Sequence, residues 1–459
     1  MRVRPLRAAA LAVLAALLLA LPFVAHRAAH VAAGIKAKSI CSGVFLSGRD
    51  PAALQREDLA PYGSSPLDAV SVQVDRERRR VSASMFGLGE NVAIYRDGLG
   101  CTLTAGAAPE ALAERVRGLD LAPRPARPLP VAPPDPGRDA RLARVFDAAF
   151  ADRPDTPPRR TRAVVVLHNG QIVAERYAPG YAADMRLQGW SMAKSVTAAL
   201  VGLRAGEGRL ALDGPAPVPE WRERKDDPRA AITLRQLLQM SSGLAFAERY
   251  GDPFADVMRM LFTEPSAGAF AASRPLDAPP GTRWEYASGT TNIVARVLAQ
   301  SFASPQAALA YARRALFDRI GMASAVIEPD ASGAFVGSSF MYATARDWAR
   351  FGLLHAQDGV WDGERVLPVG WVAFVRSAAP AAPKASYGAH WWLELGTPSG
   401  SEARLPPDAF HAAGHGGQFV TVVPSRGVVV VRLGLALAEG AWDQPAFVAG
   451  VLDALAPAD

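Results

Sequence analysis

The stretch Ser191-Met192-Ala193-Lys194 opens an apolar, alanine-rich segment that the sequence pattern predicts to be a helix. Residues three positions apart share one face of a helix, so this spacing places the Ser191 hydroxyl beside the Lys194 amine. A serine hydroxyl becomes a strong nucleophile when a neighbouring base takes its proton, and a desolvated lysine can serve as that base. The spacing therefore favours acyl transfer through Ser191.

Lysine is scarce in this chain, which strengthens the hypothesis that Lys194 acts together with Ser191. Lysine occurs only at positions 36, 38, 194, 225 and 384, and the other basic residues are arginines. Arginine keeps its proton in proteins, whereas lysine can release it. A Ser-x-x-Lys sequence still arises by chance in roughly one such chain in four, so the hypothesis needs partner residues elsewhere.

Length and composition indicate a globular protein with one large core or two moderate ones. The chain has 459 residues, of which 50% are hydrophobic and 20% charged, and a formal net charge of +6. Its arginines are scattered and form no dense basic block interleaved with aromatic residues, so we expect no nucleic-acid partner. No His or Cys cluster has the spacing of metal ligands, and the chemistry needs no cofactor; we expect neither.

The N-terminus has the features of an export signal. Three arginines within the first seven residues precede an uncharged, Ala- and Leu-rich run at 8–25. We expect residues 1–33 to be either a signal peptide, cleaved after Val31-Ala32-Ala33, or a retained signal anchor. In both cases the remainder is exported to the periplasm or the cell exterior, and retention would attach it to the inner membrane through residues 8–25.

The two cysteines, Cys41 and Cys101, fit an oxidising compartment, where the pair can close into a disulfide. Two buried free thiols are the alternative. Short runs typical of strands occur at 68–75, 80–84 and 91–96. We therefore expect a small β-rich unit over residues 34–121.

Residues 122–137 read APRPARPLPVAPPDPG and predict an extended, proline-rich linker. The second domain, 138–459, starts with helical periodicity over 138–150. Two β-rich runs over 162–177 follow, joined at Asn169-Gly170, the strongest short hairpin signal. Residues 419–423 and 428–435 predict a second hairpin and 443–455 a closing helix. Strands at both ends with helices between them predict an α+β fold, in which an antiparallel sheet is backed by an inserted all-helical region.

Two further segments carry candidate catalytic residues. Tyr286 lies on a loop before an apolar helix and is placed to relay protons between Ser191 and a leaving group; an ordinary half-buried aromatic is the alternative. Gly414-His415-Gly416-Gly417-Gln418 enters the C-terminal hairpin, where glycines allow close approach of a substrate. We expect the amides of Ser191 and Gln418 to bind the developing oxyanion, the alternative being a glycine-rich turn with a surface histidine.

These three segments, in this order, resemble the motifs of the penicillin-recognising serine hydrolases, specifically the group of class C β-lactamases, DD-peptidases and 6-aminohexanoate-dimer hydrolases. Ser191 and Lys194 match the Ser-x-x-Lys motif, Tyr286 the tyrosine of Tyr-x-Asn, and His415-Gly416-Gly417 the Lys-Thr-Gly position. Supporting stretches that resemble family landmarks are 212–213, 233–238, 241–244 and 342–348. The resemblance spans about residues 138–459 and implies a β-lactamase/transpeptidase-like fold and an acyl-enzyme mechanism.

Two departures from the family pattern bear on the substrate. Ser288 stands where class C β-lactamases carry asparagine, and His415 where they carry lysine, which implies poor recognition of β-lactam antibiotics. Ser288 and residues 337–342 resemble the 6-aminohexanoate-dimer hydrolase and esterase branch more closely. We therefore expect a small amide, ester or short-peptide substrate. A cell-wall D-alanyl carboxypeptidase, a weak β-lactamase and a non-catalytic binding or scaffold protein are the alternatives.

The resemblance and the residue chemistry together predict a division of roles. Lys194 activates Ser191, and Tyr286 protonates the leaving group and then helps to activate water. The residues expected to bind or orient the substrate are Gln418, His415, Gly416, Gly417, Ser288 and Trp190, with Trp190 as a pocket wall.

Overall fold

The computed structural model describes the chain from residue 3 onward except residues 61–64, 153–155, 397–402 and 458–459, and describes side chains from residue 21. Most of the apolar run at 8–25, on which the predicted export signal and membrane attachment rest, therefore lies outside the described side chains. Within the described residues, no helix carries an apolar stretch long enough to cross a bilayer.

The N-terminal region contains α1 (Val3–Phe45), α2 (Pro51–Leu54), β1 (Val70–Asp75), β2 (Arg80–Met85), β3 (Leu88–Arg96), β4 (Gly100–Leu103) and α3 (Pro109–Glu114). The next elements are α4 (Pro136–Phe150), β5 (Thr161–His168), β6 (Gln171–Tyr177), β7 (Leu187–Gln188), α5 (Met192–Gly206), α6 (Pro219–Arg222), α7 (Leu234–Leu238), α8 (Asp256–Phe262), α9 (Ala267–Ala272), α10 (Ser288–Gln300), α11 (Pro305–Ala312) and α12 (Asp318–Ile320). The remaining elements are β8 (Val326–Ile327), β9 (Met341–Ala343), α13 (Ala345–Ala356), β10 (Val360–Trp361), β11 (Glu364–Arg365), α14 (Trp371–Val375), β12 (Phe410–Gly414), β13 (Gln418–Val423), β14 (Val428–Gly434) and α15 (Gln444–Leu455).

The central sheet has five antiparallel strands in the order β12-β13-β14-β5-β6. β14 pairs with β5, with Val430 opposite Val166, so the two ends of the predicted second domain meet in one sheet. Asn169 and Gly170 both have positive φ, 50° and 78°, which suits a two-residue hairpin turn. The structure confirms both predicted hairpins and the α+β fold class.

Helices cover both faces of this sheet, which accounts for its valine-rich strands. On one face, Phe146 of α4 and Val448 of α15 join a core with Val166. On the other face, α5 and α13 pack in the main core together with Val165 and Val431. This arrangement holds the first turn of α5 beside the end of the β12–β13 hairpin.

The inserted region is mainly helical, but the prediction that it is all-helical was wrong. It also contains a three-stranded sheet in the order β7-β9-β8 and a two-stranded sheet of β10 and β11. These strands have two or three residues each, which is too short to leave an alternating pattern in the sequence.

The N-terminal region packs a long helix on a four-stranded sheet of order β1-β2-β3-β4. The predicted disulfide between Cys41 and Cys101 is formed and joins α1 to β4, and the three predicted strands are observed as β1, β2 and β3. The first twelve residues of the predicted β-rich unit, 34–45, are helical, because α1 continues into it without a break from the segment predicted as a signal. Ala29, Val31 and Ala33 are at most 2% exposed, so this part of the helix already belongs to the packed protein.

The proline-rich stretch is extended, as expected of its composition, but it lies against the second domain. Val131 forms a bridge with Ile172 of β6, and the Ala132 N–H donates to the Ile172 carbonyl over 2.9 Å. Side chains from the N-terminal region, such as Val31 and Val81, share one continuous core with the second domain. The two predicted domains therefore pack as neighbours with a common interior.

A buried ion pair fastens α1 to the second domain. The Lys38 ammonium contacts the Glu328 carboxylate, and the two residues are 3% and 0% exposed. Glu328 also accepts hydrogen bonds from the Ser42 hydroxyl at 2.8 Å and the Cys101 N–H at 2.6 Å, while Lys38 lies over the Phe340 ring. Every charge here is compensated, as a charge removed from water requires.

We expect Lys38→Met to destabilise the protein by about 3–5 kcal/mol, because it leaves the Glu328 carboxylate buried without its cation. Urea unfolding at neutral pH measures the change. The matched control is Lys225→Met, since Lys225 is exposed and its loss should change the free energy of unfolding by less than about 0.5 kcal/mol. Equal stability of the two variants would contradict a fastening role for the pair.

Candidate active site

Ser191 occupies a sharp turn between β7 and α5. Trp190, the preceding residue, has a φ of +48°, and Ser191 itself is the N-cap of the helix. Gly189 is needed at the start of the turn, because a Cβ there would lie 2.4 Å from the Trp348 ring. The turn leaves Ser191 half-buried, with its side chain free of a capping bond and available for chemistry.

Lys194 lies directly beside Ser191, as the spacing of the two residues predicts. Its side chain is buried, with the residue 1% exposed. The Nζ atom is 3.0 Å from Ser191 Oγ, 3.1 Å from Ser288 Oγ and 3.1 Å from the Ser338 carbonyl oxygen. Three neutral oxygens therefore surround the amine, and one of them belongs to the candidate nucleophile.

The third acceptor is positioned by Asn292, a residue the sequence reasoning did not identify. The Asn292 amide nitrogen donates to Ser338 Oγ over 3.0 Å, and the Ser338 N–H donates to Asn292 Oδ1 over 3.2 Å. Asn292 lies one turn into α10 and is fully buried. Its role depends on a contact across 46 positions in the chain, for which local sequence gives no signal.

Glu248 is the second functional candidate that sequence reasoning missed. Its carboxylate accepts from Ser288 Oγ at 2.6 Å, from the Ser288 N–H at 2.9 Å and from the Tyr250 hydroxyl at 3.0 Å. A carboxylate at the start of α10 is also favoured by the helix dipole. Burial, followed by the Glu248 charge, raises the pKa of Tyr250 well above its usual value. Hydrogen bonds thus connect Lys194 through Ser288 to a carboxylate.

Tyr286 lies against Lys194, but the contact differs from the expected one. The Lys194 Nζ is 4.8 Å from the centre of the Tyr286 ring and faces the ring, not the hydroxyl. The ring stacks on Trp392 with centres 5.5 Å apart and meets Tyr387 edge-on at 6.2 Å. Within the described residues the hydroxyl of this half-buried side chain makes no hydrogen bond, so it is available to a substrate.

Aromatic side chains form one wall of the site. The His415 ring stacks on Tyr250 at 5.5 Å and meets the Trp190 ring edge-on at 5.7 Å. His415 is exposed while its two neighbours are half-buried. The structure therefore brings His415 and Trp190 together at the surface of the site, where a bound molecule would touch them.

The glycine-rich turn approaches the nucleophile closely. A Cβ on Gly414 would lie 2.1 Å from the Gly189 carbonyl oxygen and 3.1 Å from the Ser191 nitrogen, so only glycine fits. Gly414 pairs with Gln418 at the end of the hairpin, which brings Gln418 next to the Ser191 turn. The Ser191 N–H has no hydrogen-bond acceptor within the described part of the chain and is available as one oxyanion donor.

Two buried side chains hold this turn in shape. The Gln418 side chain donates to the Gly434 carbonyl over 2.6 Å and accepts from the Gly434 N–H over 2.9 Å. The Arg432 guanidinium donates to the carbonyls of Gly417 at 2.6 Å and Gly416 at 3.2 Å. Complete burial lowers the pKa of Arg432 to about 9. Both glycines have positive φ, +75° and +78°, so the fixed turn needs residues without a side chain.

The arrangement places a buried amine beside a serine hydroxyl and a tyrosine ring, next to a backbone N–H without an acceptor among the described residues. Among the residues that the structure describes, no group of three or more His, Cys, Asp or Glu side chains is placed to hold a metal ion. The described groups suit attack of Ser191 on a carbonyl carbon.

Comparison with known proteins agrees with the fold and the motif order. A 6-aminohexanoate-dimer hydrolase of Paenarthrobacter ureafaciens is 28% identical to the chain, covering 58% of the chain and 74% of that protein. A Bacillus anthracis structure proposed to be such a hydrolase superposes with a TM-score of 0.56 at 22% identity, covering 74% of this chain and 92% of the other. A family VIII carboxylesterase structure gives 0.51 at 16% identity, covering 71% and 97%.

The resemblance identified from the three motifs is confirmed by a family-wide comparison. The sequence profile of the β-lactamase family matches residues 146–434, more than half of the chain and all three motif segments. This protein therefore belongs to the β-lactamase family.

Proposed function

We propose that the protein is a serine hydrolase that cleaves small amide or ester bonds through an acyl-enzyme on Ser191. The observation that carries the proposal is the 3.0 Å separation between the buried Lys194 amine and the Ser191 hydroxyl. A positioned base at this distance can take the serine proton as the bond to the substrate carbonyl carbon forms.

The surroundings of Lys194 suit a neutral amine acting as a base. A neutral amine has two N–H bonds and one lone pair. Its two N–H groups match the Ser288 hydroxyl oxygen and the Ser338 carbonyl oxygen, each at 3.1 Å. The lone pair is then directed at the Ser191 hydroxyl proton, which is the geometry that proton removal requires.

In the proposed acylation, Ser191 Oγ attacks the carbonyl carbon while its proton moves to Lys194. The backbone N–H groups of Ser191 and Gln418 stabilise the oxyanion by donating hydrogen bonds to it. The leaving amine or alcohol then takes a proton from the free Tyr286 hydroxyl. Because Lys194 faces the Tyr286 ring and not its hydroxyl, the proton on Lys194 returns to the phenol through a water molecule. In deacylation, water gives a proton back to this pair, attacks the acyl carbon and frees the acid and Ser191.

The aromatic wall and the two departures from the β-lactamase pattern support a small amide or ester substrate. The Ser288 hydroxyl accepts a hydrogen bond from Lys194 and donates one to Glu248. It therefore offers a substrate no free hydrogen-bond donor, whereas an asparagine at this position would supply a side-chain amide. At the position where class C β-lactamases carry lysine, His415 presents an aromatic ring that packs against Tyr250 and Trp190. The similar 6-aminohexanoate-dimer hydrolase agrees with this substrate class. A D-alanyl carboxypeptidase remains the second candidate, favoured by the predicted export.

We also propose that the protein is exported and keeps its N-terminal helix as an anchor. The arginine-flanked apolar run and the disulfide between Cys41 and Cys101 support export. The burial of Ala29, Val31 and Ala33 supports retention, because cleavage after Ala33 would remove packed side chains.

Labelling with a fluorophosphonate tests the nucleophile. We expect one adduct per chain on the wild type and none on Ser191→Ala, because only an activated hydroxyl attacks this reagent at an appreciable rate. Intact-protein mass measures the adduct, and hydrolysis of a p-nitrophenyl ester should fall at least about 10³-fold in the same variant. A folded wild type that takes no label would favour the binding-protein alternative.

Unlabelled wild-type enzyme from the same preparation should then be offered short linear amides, p-nitrophenyl esters, a β-lactam and a peptide ending in D-Ala-D-Ala. We expect turnover of the amides and esters and little of the β-lactam. Preferential release of terminal D-alanine would instead establish the carboxypeptidase.

Ser288→Ala tests the link between Lys194 and Glu248. The variant loses one acceptor of the lysine and its connection to the carboxylate, so we expect kcat to fall by about 10²-fold with KM within about threefold. Steady-state kinetics on the best ester measures both constants. Ser304→Ala is the control, since Ser304 caps α11 far from the cleft in sequence and in contacts. Equal kinetics in the two variants would remove Ser288 from the mechanism.

The mature N-terminus tests retention of the helix. We expect protein purified from the membranes of producing cells to include residues 29–45, because these pack in the core. Intact mass and N-terminal sequencing provide the measurement. A mature chain that starts at Gly34 would show that the segment is a cleaved signal peptide.

A further inference from the structure

A cavity adjoins the candidate active site. The N-terminal region forms one side of this cavity. Its volume is about 130 Å³. From α1 it is lined by Ser39 and Gly43, which lie on one face of the helix, and from the following segment by Ser47, Leu54 and Leu59. A Cβ on Gly43 would lie 2.4 Å from Leu54, so the glycine lets this side close tightly.

The other side of the cavity belongs to the candidate active site. Trp190, His415 and Gln418 line it, and these residues precede Ser191 or lie beside it in the glycine-rich turn. Lys194 and Tyr286 do not line the cavity. A substrate carbonyl at Ser191 must direct its leaving group towards the proton-transfer groups, so its acyl portion extends the other way, towards this cavity.

The charges in the cavity wall are compensated by one another. Arg49 pairs with Asp58 at 2.7 Å and with Glu57 at 2.5 Å, and Arg162 pairs with the same Asp58. Both arginines of the wall are therefore paired with carboxylates, Asp58 within the lining and Glu57 outside it, so neither arginine is left unpaired to attract an anionic ligand. The most frequent residue in the remaining lining is leucine, at positions 54, 59, 187, 435 and 437, and these leucines stand beside polar side chains such as Ser39 and Gln188. The wall therefore favours an uncharged, apolar group.

We propose that this cavity binds the distal part of the substrate's acyl group, a short, uncharged aliphatic chain, and that the N-terminal region thereby sets acyl specificity. The inference rests on the proposed function. A cavity of about 150 Å³ in another protein accommodates benzene, so about 130 Å³ fits a chain of a few carbons. The residues of α1 and the segment after it lie outside the stretch 146–434 that matches the family, so the family match does not include this side of the cavity.

The test measures kcat/KM for p-nitrophenyl acetate, butyrate, hexanoate and decanoate on the full-length protein. We expect wild-type kcat/KM to rise at least tenfold from acetate to its optimum at butyrate or hexanoate and to fall for decanoate, since buried methylenes each add affinity until the cavity is full. Leu59→Trp fills the cavity from the N-terminal side. It should lower kcat/KM for hexanoate at least tenfold while leaving the acetate value within about threefold.

Leu88→Trp is the matched control, because Leu88 is an exposed leucine of the same region that does not line the cavity; its chain-length profile should equal that of the wild type. Ser39→Leu provides a second filling variant from α1 if Leu59→Trp fails to fold. A wild-type profile without chain-length preference, or a parallel loss for acetate and hexanoate in the filled variants, would overturn the proposal. Failure of the proposed function is distinct, because it would show as absence of the Ser191 fluorophosphonate adduct.

Discussion

The site depends on the constraint that a buried lysine must have an oxygen partner for every N–H group it keeps. The Lys194 amine has polar partners from three separate places: Ser191 at the N-cap of its own helix, Ser288 at the start of α10, and the Ser338 carbonyl before β9. The amine therefore fixes how these three elements converge. Asn292 forms a hydrogen bond with Ser338, and Glu248 forms one with Ser288. The polar network therefore extends beyond the motif residues.

A second consequence of polar burial is that the N-terminal region cannot be treated as a detachable unit. Lys38 and Glu328 compensate each other inside the protein, and the disulfide between Cys41 and Cys101 fixes α1 to β4. α1 also contributes to the cavity beside the candidate active site. One helix thus contains both the segment predicted as an export signal, in its first half, and residues packed in the core, in its second half.

Periodicity and turn chemistry were enough to predict the parts of the structure that local sequence controls. The helix after Ser191, the hairpin at Asn169-Gly170 and the closing helix all carry their own signals, and the i, i+3 spacing placed Lys194 beside Ser191 correctly. Glu248 and Asn292 carry no such signal, because each acts through a contact with a residue 40 or 46 positions away. The orientation of Tyr286 was missed for the same reason. Its stacking on Trp392 turns the ring face towards Lys194, and no property of the loop sequence determines that packing.

Two buried lysines, Lys38 and Lys194, have different polar surroundings, which suit a structural role for the first and the proposed chemical role for the second. Lys38 touches the Glu328 carboxylate directly; burial lowers the pKa of Lys38, and the charge and hydrogen bond of Glu328 oppose that lowering. Lys194 is separated from the Glu248 carboxylate by the Ser288 hydroxyl, which donates to Glu248 and accepts from the amine. The carboxylate therefore reaches Lys194 only through one intervening hydroxyl, whereas Glu328 touches Lys38 without an intermediary. Serine suits this position because its hydroxyl donates in one direction and accepts in the other, which accounts for its presence where related enzymes carry an amide.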